Sequence, residues 1–211
     1  DVEFSIDRAY DLALYEESLG IKTSYMFQIR NNCYNTFSDK NLKLIESISD
    51  MGHSIGLHAH MGKLETELNE AKLPISLKHV SDYIQKDINI LEEFLHIVID
   101  RFSFHRPKKE YLQFNLNIPH IINTYNKKYF HLTEDLNNLD ITYLADSQHK
   151  WKYGHPLEIN LKPINKLQLL THPYSWTKHG LSNSVNFKKL IEEKNFELKC
   201  SIDNECKNFT L

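Results

Sequence analysis

Apolar and polar residues recur along the chain with two different periods, and each period predicts one kind of element. Short runs that alternate with a period of two, or that are rich in β-branched and aromatic residues, predict strands. The predicted strands cover residues 1–4, 23–29, 55–58, 101–105, 129–132, 140–146 and 167–172. Most of these runs are separated by segments with helical spacing, so strands and helices are expected to alternate.

Apolar residues three or four positions apart predict the helices that lie between these strands. Ser5 and Ser38 are suitable N-caps, and Gly20 and Gly52 are suitable stops, for the first two helices. The longest helix is expected to run from about Ser76 to about Asp100. Its predicted inward face consists of Val80, Ile84, Ile88, Leu91, Leu95 and Val98. Further helices are expected at 118–126 and 184–194, and a loop at 61–76.

Regular alternation of strands and helices indicates parallel strands joined by helical crossovers. The chain has no repeat, low-complexity tract or linker, which favours a single domain over residues 1–211. We therefore expect an α/β fold, namely a distorted, incomplete (β/α) barrel with about seven parallel strands. A doubly wound open sheet is the alternative.

Composition excludes several classes of protein. A net charge of -3 gives no indication of a nucleic-acid partner, and no run of apolar residues is long enough to predict a transmembrane segment. Three cysteines without a C-x-x-C motif favour a reducing compartment, so a cytoplasmic location is expected. Because the sequence starts at Asp1 without methionine, the first strand is expected to be cut short.

Ionisable side chains lie at the ends of most predicted strands, where burial alone would not place them. These residues are Asp1, Glu3, His58, His60, His105, Arg106, Asp146 and His172. In α/β folds the carboxyl ends of parallel strands meet at one face, where ligands bind. Carboxylate and imidazole together suit zinc or another divalent transition metal. A shared metal site is therefore predicted, although single members of the set could be turn residues or solvated loop histidines.

Three aromatic residues, Trp151, Tyr174 and Trp176, follow the polar strand ends. Such residues more often belong to a core. In this position, however, a sugar ring could stack against them, and we treat them as candidate substrate-binding residues.

The polar motifs also occur in an order that resembles a known family. The order is D-x-E, then G-H-x-I-G-L-H, then H-R-P, D-S and finally L-L-T-H-P. It resembles the polysaccharide deacetylases of carbohydrate esterase family four, and it is most similar to the branch found with bacterial surface-polysaccharide genes. The resemblance spans residues 1–176.

This resemblance implies a distorted (β/α) barrel, a divalent metal that is usually zinc, and hydrolytic removal of an N- or O-linked acetyl group from a sugar. Such a reaction would suit capsule or lipopolysaccharide biosynthesis. The roles that it implies are general base for Asp1, metal ligand for Glu3 and His58, orientation of the base for Arg106, and general acid for His172. Asp146 is grouped with the catalytic residues because it ends a neighbouring strand.

One position departs from the family pattern, because Gly62 stands where the second metal-binding histidine is expected. His60 or His105 could replace it, or the site could use fewer protein ligands. We favour His60, because residues i and i+2 of an extended chain face the same side and because His105 adjoins the positive Arg106. The sequence thus predicts a metal-dependent carbohydrate deacetylase. The alternative is a non-catalytic carbohydrate-binding or accessory protein with a degenerate deacetylase fold.

Overall fold

The computed structural model describes residues 1–130, 141–160 and 166–206, and it shows an α/β fold in which every paired strand is parallel to its neighbour. The strands are β1 (Ser24–Phe27), β2 (Ser54–Ala59), β3 (Arg101–Phe104), β4 (Ile122–Asn123), β5 (Ile141–Ala145) and β6 (Lys166–Leu170). The helices are α1 (Ile6–Ser18), α2 (Asp39–Asp50), α3 (Gly62–Glu70), α4 (Leu77–Leu95), α5 (Lys109–Gln113) and α6 (Asn183–Glu205). The predicted class is therefore confirmed.

The strands form two sheets rather than the single set of about seven that the sequence predicts. One sheet has the order β1-β2-β3-β4, and the other pairs β5 with β6. Within the described ranges six strands are present, because residues 1–4 contribute only an isolated bridge from Val2 to Phe27. Of the strand predicted at 129–132, Tyr129 lies in a turn, and residues 131–132 fall outside the described ranges.

The N-terminal residues lie between the two sheets and connect them. The backbone nitrogen of Val2 donates to Met26 O at 2.9 Å, and that of Asp1 donates to Thr171 O, just after β6, at 2.9 Å. On a flat sheet Asp1 and β3 would be three strand spacings, or about 14 Å, apart. Their side chains nevertheless touch, since Ser103 Oγ lies 2.9 Å from Asp1 Oδ1. The sheet must therefore curve strongly at this end.

Helices α1, α2 and α4 bury the apolar faces that their spacing predicts. The Ser5 side chain caps α1 by accepting a hydrogen bond from the backbone of Arg8. Val98 is the exception in α4: it is 79% exposed rather than inward-facing. The helix ends at Leu95, and His96 takes a left-handed conformation with φ of 54°, so Val98 lies beyond the helical repeat.

Two further predictions of local structure are wrong. Residues 61–76 are not simply a loop, because α3 forms there and buries Leu64 and Leu68, which are one helical turn apart. Residues 118–126 form no helix; they contain the short strand β4 and a bridge between Ile118 and Ile121. Among the described helices, none is both long enough and apolar enough to cross a bilayer.

Candidate metal centre

Two neighbouring strands carry the histidines of the candidate site. The register of β2 and β3 pairs His58 with Ser103, and the backbone nitrogen of His105 continues this pairing by donating to Ala59 O at 2.9 Å. Because side chains alternate along a strand, Ser103 and His105 lie on the same side of β3. Glu3 comes from the N-terminal segment. This segment is held in place by Val2, which lies between Asp1 and Glu3 and is buried in the core.

The ligand atoms of Glu3, His58 and His105 converge on one point. His105 Nδ1 lies 3.1 Å from both His58 Nε2 and Glu3 Oε1, and His58 Nε2 lies 3.9 Å from Glu3 Oε1. Tetrahedral ligands at about 2.1 Å from a zinc ion are about 3.4 Å apart. The three observed separations bracket that value, so the donor atoms fit a zinc-sized ion without rearrangement of the backbone.

The charge states of this group also suit a metal. Burial lowers the pKa of His58 to about 3, so its imidazole is neutral at pH 7, as a ligand must be. Burial alone would raise the pKa of Glu3, but the close contact with His105 and the neighbouring imidazoles of His58 and His172 outweigh it and hold that pKa well below its usual value. The cluster thus contains two imidazoles and one carboxylate, a donor set that zinc commonly takes.

Asp1 lies beside this cluster and is held by Ser103 rather than by the expected arginine. Ser103 Oγ donates to Asp1 Oδ1 at 2.9 Å, and His58 Nδ1 lies 3.5 Å from the same oxygen. Arg106 is exposed and takes a left-handed φ of 49° where the chain leaves β3. In the part of the chain that the structure describes, no ion pair joins Arg106 to Asp1, so the predicted pairing is not formed.

On the other side of Glu3, His172 forms a tight pair with Asp146. His172 Nδ1 lies 2.6 Å from Asp146 Oδ1, and Trp176 Nε1 donates to Asp146 Oδ2 at 2.8 Å. Burial alone would raise the pKa of Asp146, but these hydrogen bonds and the charge of His172 outweigh it and keep that pKa below its usual value. The opposite ring nitrogen, His172 Nε2, lies 3.9 Å from Glu3 Oε1 and is therefore next to the three-ligand cluster.

His60 does not belong to the group of three converging ligands. Its exposed ring stacks on His105, with 5.2 Å between ring centroids and 22° between planes. It also borders a recess of about 710 Å³ formed with residues 29–35 and Lys63. His60 thus contacts His105 on one side and this recess on the other.

The candidate aromatic residues differ in their exposure. Trp176 is 48% exposed, and its ring meets that of Trp151 edge to face with centroids 6.4 Å apart. Tyr174 is buried and packs against Phe4 and Phe187. Of these three candidates, the two tryptophans are the ones that offer ring surface to a ligand.

Sequence reasoning did not single out two buried polar residues that contact the site. Ser103 touches both His58 and Asp1, and Gln28 Nε2 lies 3.3 Å from His105 Nδ1. The alternation of β3 held a signal for Ser103, because it is a polar residue between Phe102 and Phe104. It also lies two residues before His105, on the same side of the strand.

Comparison with known proteins finds similar chains among solved structures. The chain matches no known protein family and no curated protein. Among solved structures it is similar to a mutant of a CE4 family pseudoenzyme with restored enzymatic activity, with a TM-score of 0.42 and 12% identity. A second crystal structure, of a mutant described as a CE4 family pseudoenzyme, gives a TM-score of 0.43 and 13% identity. Each match covers 93% of this chain but only 61% or 60% of the other, so this chain spans about three fifths of their length.

Proposed function

We propose that this protein is a metal-dependent hydrolase that removes an N- or O-linked acetyl group from a sugar or polysaccharide precursor. We further propose that its curved sheet is an incompletely closed (β/α) barrel of the carbohydrate esterase family four type. The observation that carries the proposal is the convergence of Glu3, His58 and His105 between Asp1 on one side and His172 on the other.

In this proposal His105, and not His60, completes the ligand set. Its Nδ1 lies within 3.1 Å of an atom from each of the other two ligands, whereas His60 contributes only a stacked ring. A divalent ion such as zinc, bound by Glu3, His58 and His105, would polarise the acetyl carbonyl and lower the pKa of a water molecule.

Asp1 is the proposed general base. Its Oδ1 accepts the hydrogen bond from Ser103, and within the described residues its Oδ2 accepts none, which leaves that oxygen to take a proton from the attacking water. The water oxygen then forms the new bond to the acetyl carbon. The proton ends on Asp1, and the tetrahedral centre carries the negative charge.

His172 is the proposed general acid. Asp146 accepts the Nδ1 proton of His172, so the other nitrogen, Nε2, is the one that faces the cluster and can give a proton to the leaving nitrogen or oxygen. The bond from the acetyl carbon to the sugar heteroatom breaks as that proton arrives. Acetate and the free amine or hydroxyl are the products, and transfer of the Asp1 proton to solvent and reprotonation of His172 restore the site.

The surface around the site has features that suit a carbohydrate. Trp151 and Trp176 expose aromatic rings on the side of His172 and Asp146, and aromatic faces commonly pack against sugar rings. On the side of His60 the recess is lined by three asparagines and a lysine, whose polar groups suit hydroxyl and carbonyl oxygens. We propose that the sugar chain extends across the site between these two regions.

Acetate release tests the proposal directly. The purified chain, loaded with zinc, is incubated with N-acetylglucosamine oligomers and with O-acetylated xylan, and released acetate is measured with and without a chelator. We expect chelator-sensitive release from at least one substrate and none from a His58→Ala variant. Binding of these sugars without acetate release, at full zinc occupancy, would favour a non-catalytic carbohydrate-binding protein instead.

A further inference from the structure

The hydroxyl of Ser103 lies between the proposed base and a proposed metal ligand. It is 2.8 Å from His58 Nδ1 and 2.9 Å from Asp1 Oδ1, and the residue is only 4% exposed. The parallel register that pairs Ser103 with His58 places it there, and the curvature of the sheet brings Asp1 to it. No other described residue forms hydrogen bonds with both side chains.

The directions of these two hydrogen bonds follow from the number of protons available. An ionised carboxylate can only accept, so the single hydroxyl proton of Ser103 goes to Asp1. The contact with His58 must then run the other way, with Nδ1–H donating to the Ser103 oxygen. A neutral imidazole carries one N–H, and therefore Nε2 of His58 is left with its lone pair.

That lone pair lies on the side of the ring that faces the other two ligands. His58 Nε2 is 3.1 Å from His105 Nδ1 and 3.9 Å from Glu3 Oε1. In the opposite tautomer a proton would occupy Nε2 and would have to be lost before a metal could bind there. Hydrogen bonds of this kind to the non-ligating nitrogen commonly set the tautomer and orientation of metal-binding histidines.

We infer that Ser103 is a positioning residue, which fixes the Nδ1–H tautomer of His58 and, through the same hydroxyl, orients Asp1 toward the reaction centre. The consequence for metal binding and catalysis rests on the function proposed above. The tautomer itself does not depend on that function, because it is a property of the metal-free protein.

Nuclear magnetic resonance of the metal-free protein tests the tautomer. Long-range proton–nitrogen correlations of ¹⁵N-histidine-labelled protein distinguish protonated from unprotonated ring nitrogens, and His58→Asn assigns the signal. We expect His58 to show protonated Nδ1 and unprotonated Nε2 in the wild type, and a shift toward the other tautomer in Ser103→Ala. A wild-type His58 protonated at Nε2 would overturn the inference, whether or not the alanine variant folds.

Zinc affinity, measured by competition with a chromophoric chelator, gives the second readout. Loss of such a supporting hydrogen bond typically weakens metal binding 10–100-fold, so Ser103→Ala should fall in about that range and Ser103→Thr should stay within about threefold of wild type. Ser24→Ala is the matched control, because Ser24 hydrogen-bonds Arg101 at the other end of the same sheet.

Equal affinity and an unchanged tautomer in Ser103→Ala would refute the role of Ser103. A wild type with the expected tautomer but no zinc binding would support the hydroxyl's role and contradict the proposed function.

Discussion

At the scale of single residues, the pair of His172 and Asp146 decides which nitrogen can deliver a proton. Their 2.6 Å contact occupies Nδ1 and leaves Nε2 toward the cluster. The contact with Glu3 is longer, at 3.9 Å, so His172 adjoins the proposed metal ligands without being one of the three that converge. This geometry separates its expected effect on catalysis from any effect on metal content.

Replacing His172 by alanine should therefore lower kcat and leave bound zinc unchanged. General acid–base groups contribute about 10²–10⁴-fold, equivalent to about 3–5 kcal/mol in the barrier. Acetate release and zinc per chain are measured on the same sample, with His179→Ala as the control at an exposed histidine. An unchanged kcat would remove His172 from the mechanism, and a parallel loss of zinc would make it a ligand instead.

Asp146 should make the stability of the protein depend on acid pH. Its folded-state pKa is lower than the unfolded value near 3.8, so the ionised form favours the folded state. The contribution is fully present above pH 3.8 and is lost as the pH falls below that value toward the folded pKa. Urea unfolding of wild type and Asp146→Asn between pH 2 and 5 should show a shallower loss at acid pH in the variant. The exposed Asp50→Asn should follow the wild type, and parallel curves for all three would contradict the assignment.

At the scale of elements, one arginine ties α1 to the segment that carries His172. Arg8 Nη1 donates to Tyr174 O at 2.8 Å and to Asn186 Oδ1 at 2.6 Å, and its Nε and Nη2 pair with both carboxylate oxygens of Glu193. The guanidinium thereby joins α1, the turn after His172 and α6. It is almost fully buried, unlike the surface ion pairs elsewhere on these helices.

Replacing Arg8 by alanine should destabilise the fold and lower kcat as well. Leaving a buried hydrogen-bonding group without its partner costs about 1–3 kcal/mol, and the turn after His172 loses one of its anchors. Lys40→Ala is the control, because Lys40 pairs with Asp7 of α1 and Glu197 of α6 but is 55% exposed, and such pairs contribute about 0–1 kcal/mol. Chemical unfolding and acetate release are the measurements, and equal losses in the two variants would contradict the anchoring role.

The elements also show which parts of the fold are readable from sequence. Helices α1, α2 and α4 follow their periodicity because each buries one continuous face, and strands β1 to β3 are readable as short runs that are buried on both faces. Val98 was assigned wrongly because nothing in the spacing marks His96 as a left-handed end. Helix α3 was missed because Leu64 and Leu68 are only two apolar positions in nine residues, too few to outweigh the polar neighbours.

At the scale of the whole molecule, the three proposed ligands come from distant parts of the chain. Glu3, His58 and His105 meet only after the N-terminal segment, β2 and β3 have assembled, so an ion that binds them favours the folded state. At a free zinc concentration one hundred times Kd the gain is about 2.7 kcal/mol. We expect zinc to raise the Tm and a chelator to reverse it. A Tm that zinc does not change, or that rises equally in His58→Ala, would contradict a site built from these elements.

Whole-molecule geometry explains why the sequence could not choose between His60 and His105 as the proposed third ligand. The motif order placed Glu3 and His58 at strand ends, but the choice between His60 and His105 depends on the register of β2 and β3 and on the curvature of the sheet. Neither property is encoded in local spacing. The preference for His60 rests on its separation from His58 along one chain and on the charge of Arg106 beside His105. In the structure His105 reaches the other two proposed ligands from the adjacent strand, and Arg106 is exposed.

Bound zinc per chain in wild type, His105→Ala and His60→Ala tests the central claim most directly. The purified proteins are dialysed against a zinc-buffered solution, and zinc is quantified by mass spectrometry alongside protein concentration. The account predicts about one zinc ion per chain in wild type and His60→Ala, and loss of that ion in His105→Ala. Zinc retained in His105→Ala but lost in His60→Ala would contradict it, and so would a wild-type protein that binds no zinc.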